Sequence, residues 1–537
     1  MYIQGKQHLL AAWRASDHHG HKLMNHHFSR MLRAGWTVFV LAGSLLASPA
    51  GLKFEVGVKS GLATNALDGR LLVILSSTNR PEPRLSLEDA DANGPLVFGC
   101  DVSGFTAAKS VTVDERATAT LNASLARVPH GRYYVQALLD VSTDLRGPNA
   151  GGNLISEVFE LEHNARTKSP LQLDLTRRIF DERAIETDLV KFVKIQSRLL
   201  SEFHRRPIFL RAGVILPRTF AAEPQRRFPL WIHIGGFGAR FTRVSMMMSP
   251  RSLFEEIWMA TNAPQMIYVL PDGAGPNGDP YQINSANNGP YGDAFTQELI
   301  PYIEEHFRGT GEARGRVMSG RSTGAWAALA LQVFYPDFFG GAWASSPDPV
   351  DFRAFQLVNI YEEKNAFMNE HGEERPSARD EHGDVRLIMR REVQMENVLG
   401  HGGQWTRSGG QWSAWNAVFG PRGADGLPVP VWDANGWINR SVALQWQKYD
   451  LRIVLEKNWT TLAPKLRGKL RIWAGERDDY FLNNAVHLLE ESLEHREPKD
   501  VVTFTYDPHA GHGGSNLSIE EMMQEMYQAT QGATTKP

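Results

Sequence analysis

The chain has a single cysteine, Cys100, in 537 residues. An internal disulfide and a cysteine-built metal cluster are therefore excluded. Charge of one sign is not in excess either: 57 Lys and Arg stand against 60 Asp and Glu, a formal net charge of −3. That balance indicates neither a nucleic-acid partner nor an anionic membrane surface. Long apolar runs are missing apart from one near the start, Trp36 to Leu46, which is short for a membrane span. It follows Arg30 and Arg33 and precedes the small residues Ala47-Ser48-Pro49-Ala50. This is the layout of an export signal cleaved near Ala50, so a secreted or periplasmic product without a stable membrane span is expected. Residues 1–50 are read as leader, with Met31 as a better start than Met1. His18, His19, His21, His26 and His27 are assigned to that leader rather than to a metal site.

What is present describes a globular protein: 42% hydrophobic and 22% charged residues. The length predicts two domains, one of them large. Residues 52–178 read as a β-sandwich of Ig-like type. Strand candidates are Arg70–Leu75, Ser110–Val113, Tyr133–Leu139 and Val158–Leu161, punctuated by turn residues. Residues 179–207 read as a helical linker, because Ile185, Leu189, Phe192, Ile195, Leu199 and Phe203 recur at spacings of three and four. From 208 to 537 near-continuous apolar strands alternate with helices, which predicts a mostly parallel sheet covered on both faces. Residues 353–465 interrupt that rhythm and read as an inserted lid. Seven of the 14 tryptophans fall in it: Trp405, Trp412, Trp415, Trp432, Trp437, Trp446 and Trp459. They would form the lid's core or an aromatic wall for a substrate, the core being the stronger expectation.

The chemistry begins at Gly320-Arg321-Ser322-Thr323-Gly324, a G-x-S-x-G stretch. An extended run, Arg316–Ser319, precedes it, and the helix-forming run Ala325–Leu331 follows. A nucleophile elbow needs that strand–turn–helix context, with the serine hydroxyl exposed beside the helix N-terminus. A glycine-rich turn could carry the same five letters, so the rest of the set decides. A serine hydroxyl needs a base, and the base needs a carboxylate to fix its tautomer. Asp478 and Asp479 follow the strand ending at Trp473, and His509 and His512 follow the last strand, Val501–Tyr506. The order Ser, Asp, His is that of α/β-hydrolases. Spacing leaves one aspartate and one histidine open in each pair. Gly235-Gly236-Phe237-Gly238, after the strand Trp231–Ile234, would turn the N–H groups of Gly236 and Phe237 toward the serine. The N–H of Thr323 would be the second side of that oxyanion site.

From about 205 to 520 the chain resembles the "putative esterase" family of α/β-hydrolases, which includes enterochelin esterase, esterase D and feruloyl esterases. The segments that carry the resemblance are Ile234–Gly238, Asn284–Tyr291, Glu298–Pro301, Gly320–Gly324, Tyr335–Gly341, Gly475–Asp478 and Gly511–Gly513. It implies Asp478 as the acid, His512 as the base and a β-sandwich ahead of the hydrolase domain. The insertion at 353–465 is longer than a typical member carries.

The expectation is a serine esterase acting on a small-molecule or saccharide-linked ester through an acyl-enzyme on Ser322. An acyltransferase of the same fold, a peptidase and a non-catalytic glycan- or partner-binding protein are the alternatives. No cofactor is expected. Glu370, His371, Asp380, His382 and Asp384 read as a solvated loop rather than a metal site. The loop Gly273–Gly278 lacks the lysine of a nucleotide cradle.

Overall fold

The computed structural model describes residues 51–531, apart from 64, 88, 89, 91–93, 121 and 182. The expected export signal and its histidines lie outside the described residues.

The first strands are β1 (Phe54–Val58), β2 (Leu67–Ser76), β3 (Leu96–Phe105), β4 (Val111–Val113), β5 (Thr118–Ala119), β6 (Gly131–Asp140), β7 (Leu154–Ser156), β8 (Phe159–His163) and β9 (Leu171–Arg178). They pair in the order β4-β1-β9-β7-β6-β2-β3-β5, with β8 on β6. The two separate sheets of an Ig-like sandwich are thus not what the hydrogen bonds make: one nine-stranded sheet runs through all of them. Phe54, Val56, Leu71, Val73, Phe98, Val135 and Leu173 still share one core. A single sheet can bring its distant strands to one core only by coiling, which strand twist supplies.

From Val190 a second sheet is built. The chain runs β10 (Val190–Ser197), α1 (Arg198–His204), β11 (Ile208–Ile215), β12 (Leu230–Ile234), α2 (Val244–Met247), α3 (Leu253–Met259) and β13 (Ile267–Pro271). A small hairpin, β14 (Asn284–Ser285) and β15 (Gly289–Pro290), leads to α4 (Tyr291–Ala294), a π-helical turn and α5 (Ile300–His306). Then come β16 (Arg316–Ser322), α6 (Thr323–Phe334) and β17 (Gly341–Pro347). The long insertion holds the hairpin β18 (Pro376–Arg379) and β19 (Val385–Ile388), and helices α7 (Met389–Leu399), α8 (Gln411–Phe419), α9 (Arg440–Gln445) and α10 (Leu451–Leu466). The chain closes with β20 (Leu470–Gly475), α11 (Asn483–Leu493), β21 (Val502–Asp507) and α12 (Ile519–Thr530).

The sheet order is β10-β11-β13-β12-β16-β17-β20-β21. It is mixed: β10, β11 and β13 pair antiparallel at one edge, and the pairings from β13 through β12 to β21 are parallel. The expectation of a mostly parallel sheet did not include that antiparallel edge. The helical linker is also corrected. Val190–Ser197 is a strand in full register with β11, from Val190 opposite Ile215 to Ser197 opposite Ile208. Val190, Phe192, Val193 and Ile195 are β-branched or aromatic, and that composition outweighed a spacing that fits both periods. Among the described residues of 179–207 only α1 is helical, with the Ser197 hydroxyl accepting from the Leu200 N–H as its N-cap.

Helix α6 is apolar all round and buried from Thr323 to Val333, as a helix with no polar face must be. The insertion helps to cover it: the Phe419 ring lies 5.0 Å from that of Trp326. Trp405, Trp412, Trp415, Trp432 and Trp446 are buried in the same core as α6 and the sheet. The inserted segment is therefore not a lid with a core of its own; its aromatics extend the main core. Trp437 is 57% exposed and belongs to no such wall.

The insertion also covers the first sheet. β2 is apolar on both faces: Leu71, Val73 and Leu75 face the inner core, whereas Leu72 and Ile74 pack against Met395 and Val398 of α7. Arg70 is 2% exposed at this junction. Its Nε donates to the Val398 carbonyl at 2.9 Å, and its Nη1 donates to Asp101 at 3.1 Å. Asp101 in turn accepts from the Gly402 N–H at 2.7 Å.

An Arg70→Leu variant is expected to lose about 1.5–3 kcal/mol, the scale of hydrogen bonds to a charged group. Urea denaturation would measure it, and an unchanged midpoint would show that Arg70 does not hold the junction.

Candidate active site

The sharp turn between β16 and α6 carries Ser322 with φ +56° and ψ −126°. A non-glycine residue adopts positive φ only under constraint. The neighbouring glycines supply it. A Cβ on Gly320 would lie 2.2 Å from the Gly324 carbonyl, and one on Gly324 would lie 2.0 Å from the Ile234 carbonyl. Both positions must be glycine for α6 to start this close to the strands.

Ile234 ends β12, the direct neighbour of β16, so the loop Gly235–Gly238 emerges beside the serine. Gly236 sits against the elbow, its Cβ position 3.8 Å from the Arg321 carbonyl. The loop is closed by the Ala239 N–H donating to the Gly236 carbonyl at 3.0 Å, and the Gly273 N–H donates to the Ala239 carbonyl at 2.8 Å. Neither Gly236 nor Phe237 has its N–H engaged among the described residues. Thr323 opens α6, where backbone N–H groups lack helical partners. Gly236, Phe237 and Thr323 therefore present unclaimed donors around the turn.

Asp279 anchors this loop. Its carboxylate accepts from the Gly238 N–H at 3.1 Å and from the Tyr281 N–H at 2.9 Å. Burial pushes its carboxyl from 3.8 up to about 7, against the pull of those two bonds.

The acid and base loops end β20 and β21. Of the two candidate pairs, the structure brings Asp478 and His512 together: His512 Nδ1 lies 2.9 Å from Asp478 Oδ2. Asp478 is fully buried, and its Oδ1 accepts from the N–H groups of Tyr480 (2.9 Å) and Leu482 (3.2 Å). The Tyr480 ring meets the His512 imidazole edge-on at 4.9 Å. Asp479 instead faces Gly511 and offers its carbonyl to the Arg379 N–H at 2.8 Å. His509 is exposed, and its N–H donates to Asp507 at 2.8 Å. The His512 loop reaches the elbow, where Arg321 Nη2 donates to the Gly514 carbonyl at 3.3 Å.

Ser322 is not hydrogen-bonded to His512. Its hydroxyl donates instead to Oδ1 of Asp348 at 3.2 Å. Asp348 follows β17 and was not singled out from the sequence. Its Oδ2 accepts from Tyr281 (2.6 Å), Thr323 Oγ1 (2.9 Å) and Trp415 Nε1 (3.0 Å). Gln411 donates to the Tyr281 hydroxyl at 2.7 Å, so α8 of the insertion supplies two side chains to the site. A signal was available: Pro347-Asp348 ends the strand beside the elbow, and open α/β sheets gather function at the carboxyl ends of their strands. Tyr281, Gln411 and Trp415 carried no such mark.

Among the described residues no group of His, Cys, Asp and Glu is placed to hold a metal ion, and no helix is long and apolar enough to cross a membrane. Asp380 accepts from the N–H groups of His382 and Asp384, a turn at the tip of the β18–β19 hairpin.

Asp279 gives a pH signature. A carboxyl raised from 3.8 to about 7 on folding opposes stability increasingly as pH rises across that window. Between pH 5 and pH 8 this contribution amounts to about 2–3 kcal/mol. Asp279→Asn should flatten the pH dependence of urea stability by that order. A profile parallel to the wild type would contradict the assignment.

Comparison with known proteins places the chain. Residues 210–510 match the family described as "Putative esterase". No curated protein matches the sequence. Among solved structures, a ferulic acid esterase is 14% identical, with a TM-score of 0.38, over 64% of this chain and 97% of its own. FphF, a fluorophosphonate-binding serine hydrolase of Staphylococcus aureus, is 14% identical, with a TM-score of 0.35, over 64% of this chain and 96% of its own. An S-formylglutathione hydrolase from Agrobacterium tumefaciens is 14% identical, with a TM-score of 0.33, over 64% of this chain and 93% of its own. The matched segment spans more than half of the chain, which thus belongs to the family described as "Putative esterase" and is a carboxylic ester hydrolase.

Proposed function

We propose that the chain cleaves esters through an acyl-enzyme on Ser322, with His512 as general base and Asp478 as its orienting acid. The 2.9 Å bond between His512 Nδ1 and buried Asp478 carries this reading. It fixes the tautomer with Nδ1 protonated, which leaves Nε2 as the proton acceptor. Ser322 Oγ attacks the ester carbonyl as its proton passes to Nε2. The carbonyl π pair moves to oxygen, facing the N–H groups of Gly236, Phe237 and Thr323. Collapse expels the alcohol, which takes the proton from His512. Water then enters with His512 as base and releases the carboxylic acid.

The substrate is a small-molecule or saccharide-linked ester, held against the side of the site that α8 builds with Gln411 and Trp415. The apolar leader, Trp36–Leu46 with its small-residue tail, supports export to a secreted or periplasmic location.

Ser322→Ala should lower kcat/KM on p-nitrophenyl acetate by at least about 10³-fold with the fold intact by circular dichroism. His512→Ala should lose a similar factor. Retention of a tenth of the activity in Ser322→Ala would sink the assignment.

A further inference from the structure

We propose that Asp348 is a second carboxylate of the reaction site, which holds the Ser322 hydroxyl in the resting enzyme and sets the direction from which the nucleophile meets its base. This rests on the reading of Ser322 as nucleophile. Three observations carry it.

The first is position. Asp348 directly follows β17, the strand next to the elbow strand, and its own N–H donates to the Ser322 carbonyl at 3.3 Å. Backbone and side chain thus both grip Ser322.

The second is the division of its two oxygens. Oδ2 accepts from three donors, Tyr281, Thr323 and Trp415. A carboxylate oxygen has room for little more. Among the described residues Oδ1 accepts only from the Ser322 hydroxyl. Anchoring the insertion through Trp415 would account for Oδ2 alone. Among the described residues the oxygen aimed at Ser322 holds nothing else.

The third is cost. Asp348 is 2% exposed, and no ion pair reaches it among the described residues. A buried carboxylate without a paired cation is expensive. Burial pushes this carboxyl up, and the charge of His512 acts in the opposite sense. In the acylation step that opposing charge, the His512 imidazolium, forms as Ser322 gives up its proton.

The sequence of events follows. At rest the hydroxyl proton points at Asp348 Oδ1. When an ester enters, the hydroxyl swings to His512 Nε2. The Oγ–C bond then forms, the carbonyl pair moves to oxygen, and the proton passes to Nε2. Asp348 takes no proton. Asp348, its Oδ1 now free, favours that charge.

The test is the rate per competent site. Fluorophosphonate titration counts active sites, and its rate constant reports the nucleophile without deacylation. In Asp348→Asn, the amide oxygen must serve the three donors, so the amide NH2 turns to Ser322 and can no longer accept its proton. The expected result is a 10- to 100-fold fall in both kcat and phosphonylation rate per titrated site, with KM changed less than threefold. A purely structural role would lower the number of titratable sites and leave the rate of each unchanged. Rates within twofold of wild type per site would therefore overturn the proposal. If Asp348→Asn does not fold, Trp415→Phe removes one Oδ2 donor and should slow each site about three- to tenfold; an unchanged rate there is equally contrary. Labelling that persists in Ser322→Ala would overturn the nucleophile assignment itself, whereas labelling confined to Ser322 at an unchanged rate in Asp348→Asn would overturn only the role of Asp348.

Discussion

The contact between the Gly324 backbone and the Ile234 carbonyl is the constraint on which the site depends. A Cβ there would sit 2.0 Å from that oxygen, so the start of α6 can lie against the end of β12 only because residue 324 is glycine. That approach forces Ser322 to positive φ, a conformation that costs on the order of 1–3 kcal/mol. Burial of α6 offsets it. Leu329 and Leu331 alone are buried side chains that each contribute about 1.5–3 kcal/mol. The same contact places the loop Gly235–Gly238 next to the serine, because that loop is the continuation of Ile234. The turn, the position of Ser322 and that of the Gly235–Gly238 loop are thus consequences of one close packing of backbone on backbone.

A second line of contacts runs from the first sheet to the site. Leu72, Ile74 and Arg70 of β2 hold α7. Glu396 of α7 accepts from the N–H groups of Trp412 and Ser413 and from the Ser408 hydroxyl, which caps the start of α8. Burial pushes Glu396 up to about 7. Gln411 and Trp415 of α8 then reach Tyr281 and Asp348. Arg146, just beyond β6, adds a direct tie by donating to the Pro276 carbonyl at 3.3 Å in the loop after β13. The first sheet therefore supports the wall of the site.

How much of this could be read from the residues follows from the kind of physics involved. The turn at Ser322 and the loops Gly235–Gly238, Gly475–Asp479 and Pro508–Gly513 could be picked out because each is local: glycines and a polar residue at the end of an apolar strand. The proposed pair Asp478 and His512 was not decided by spacing, since Asp479 and His509 lie within three residues of them; what favours it is burial and a hydrogen bond. Val190–Ser197 was misread because its apolar residues satisfy a helical spacing, while the strand is specified by its β-branched content and its pairing with Ile208–Ile215. The single coiled sheet was not legible at all, because β1 pairs with β9 across more than a hundred residues. Asp348 was missed for a related reason: what distinguishes it is what surrounds it, and Tyr281, Thr323 and Trp415 come from three distant segments.

The most direct measurement is a crystal structure of the protein after reaction with a fluorophosphonate. The account predicts a covalent bond from Ser322 Oγ, with the phosphoryl oxygen held by the N–H groups of Gly236, Phe237 and Thr323 and the imidazole of His512 within hydrogen-bond reach of Oγ. An adduct on another residue, or on Ser322 with its phosphoryl oxygen turned away from those donors, would contradict it.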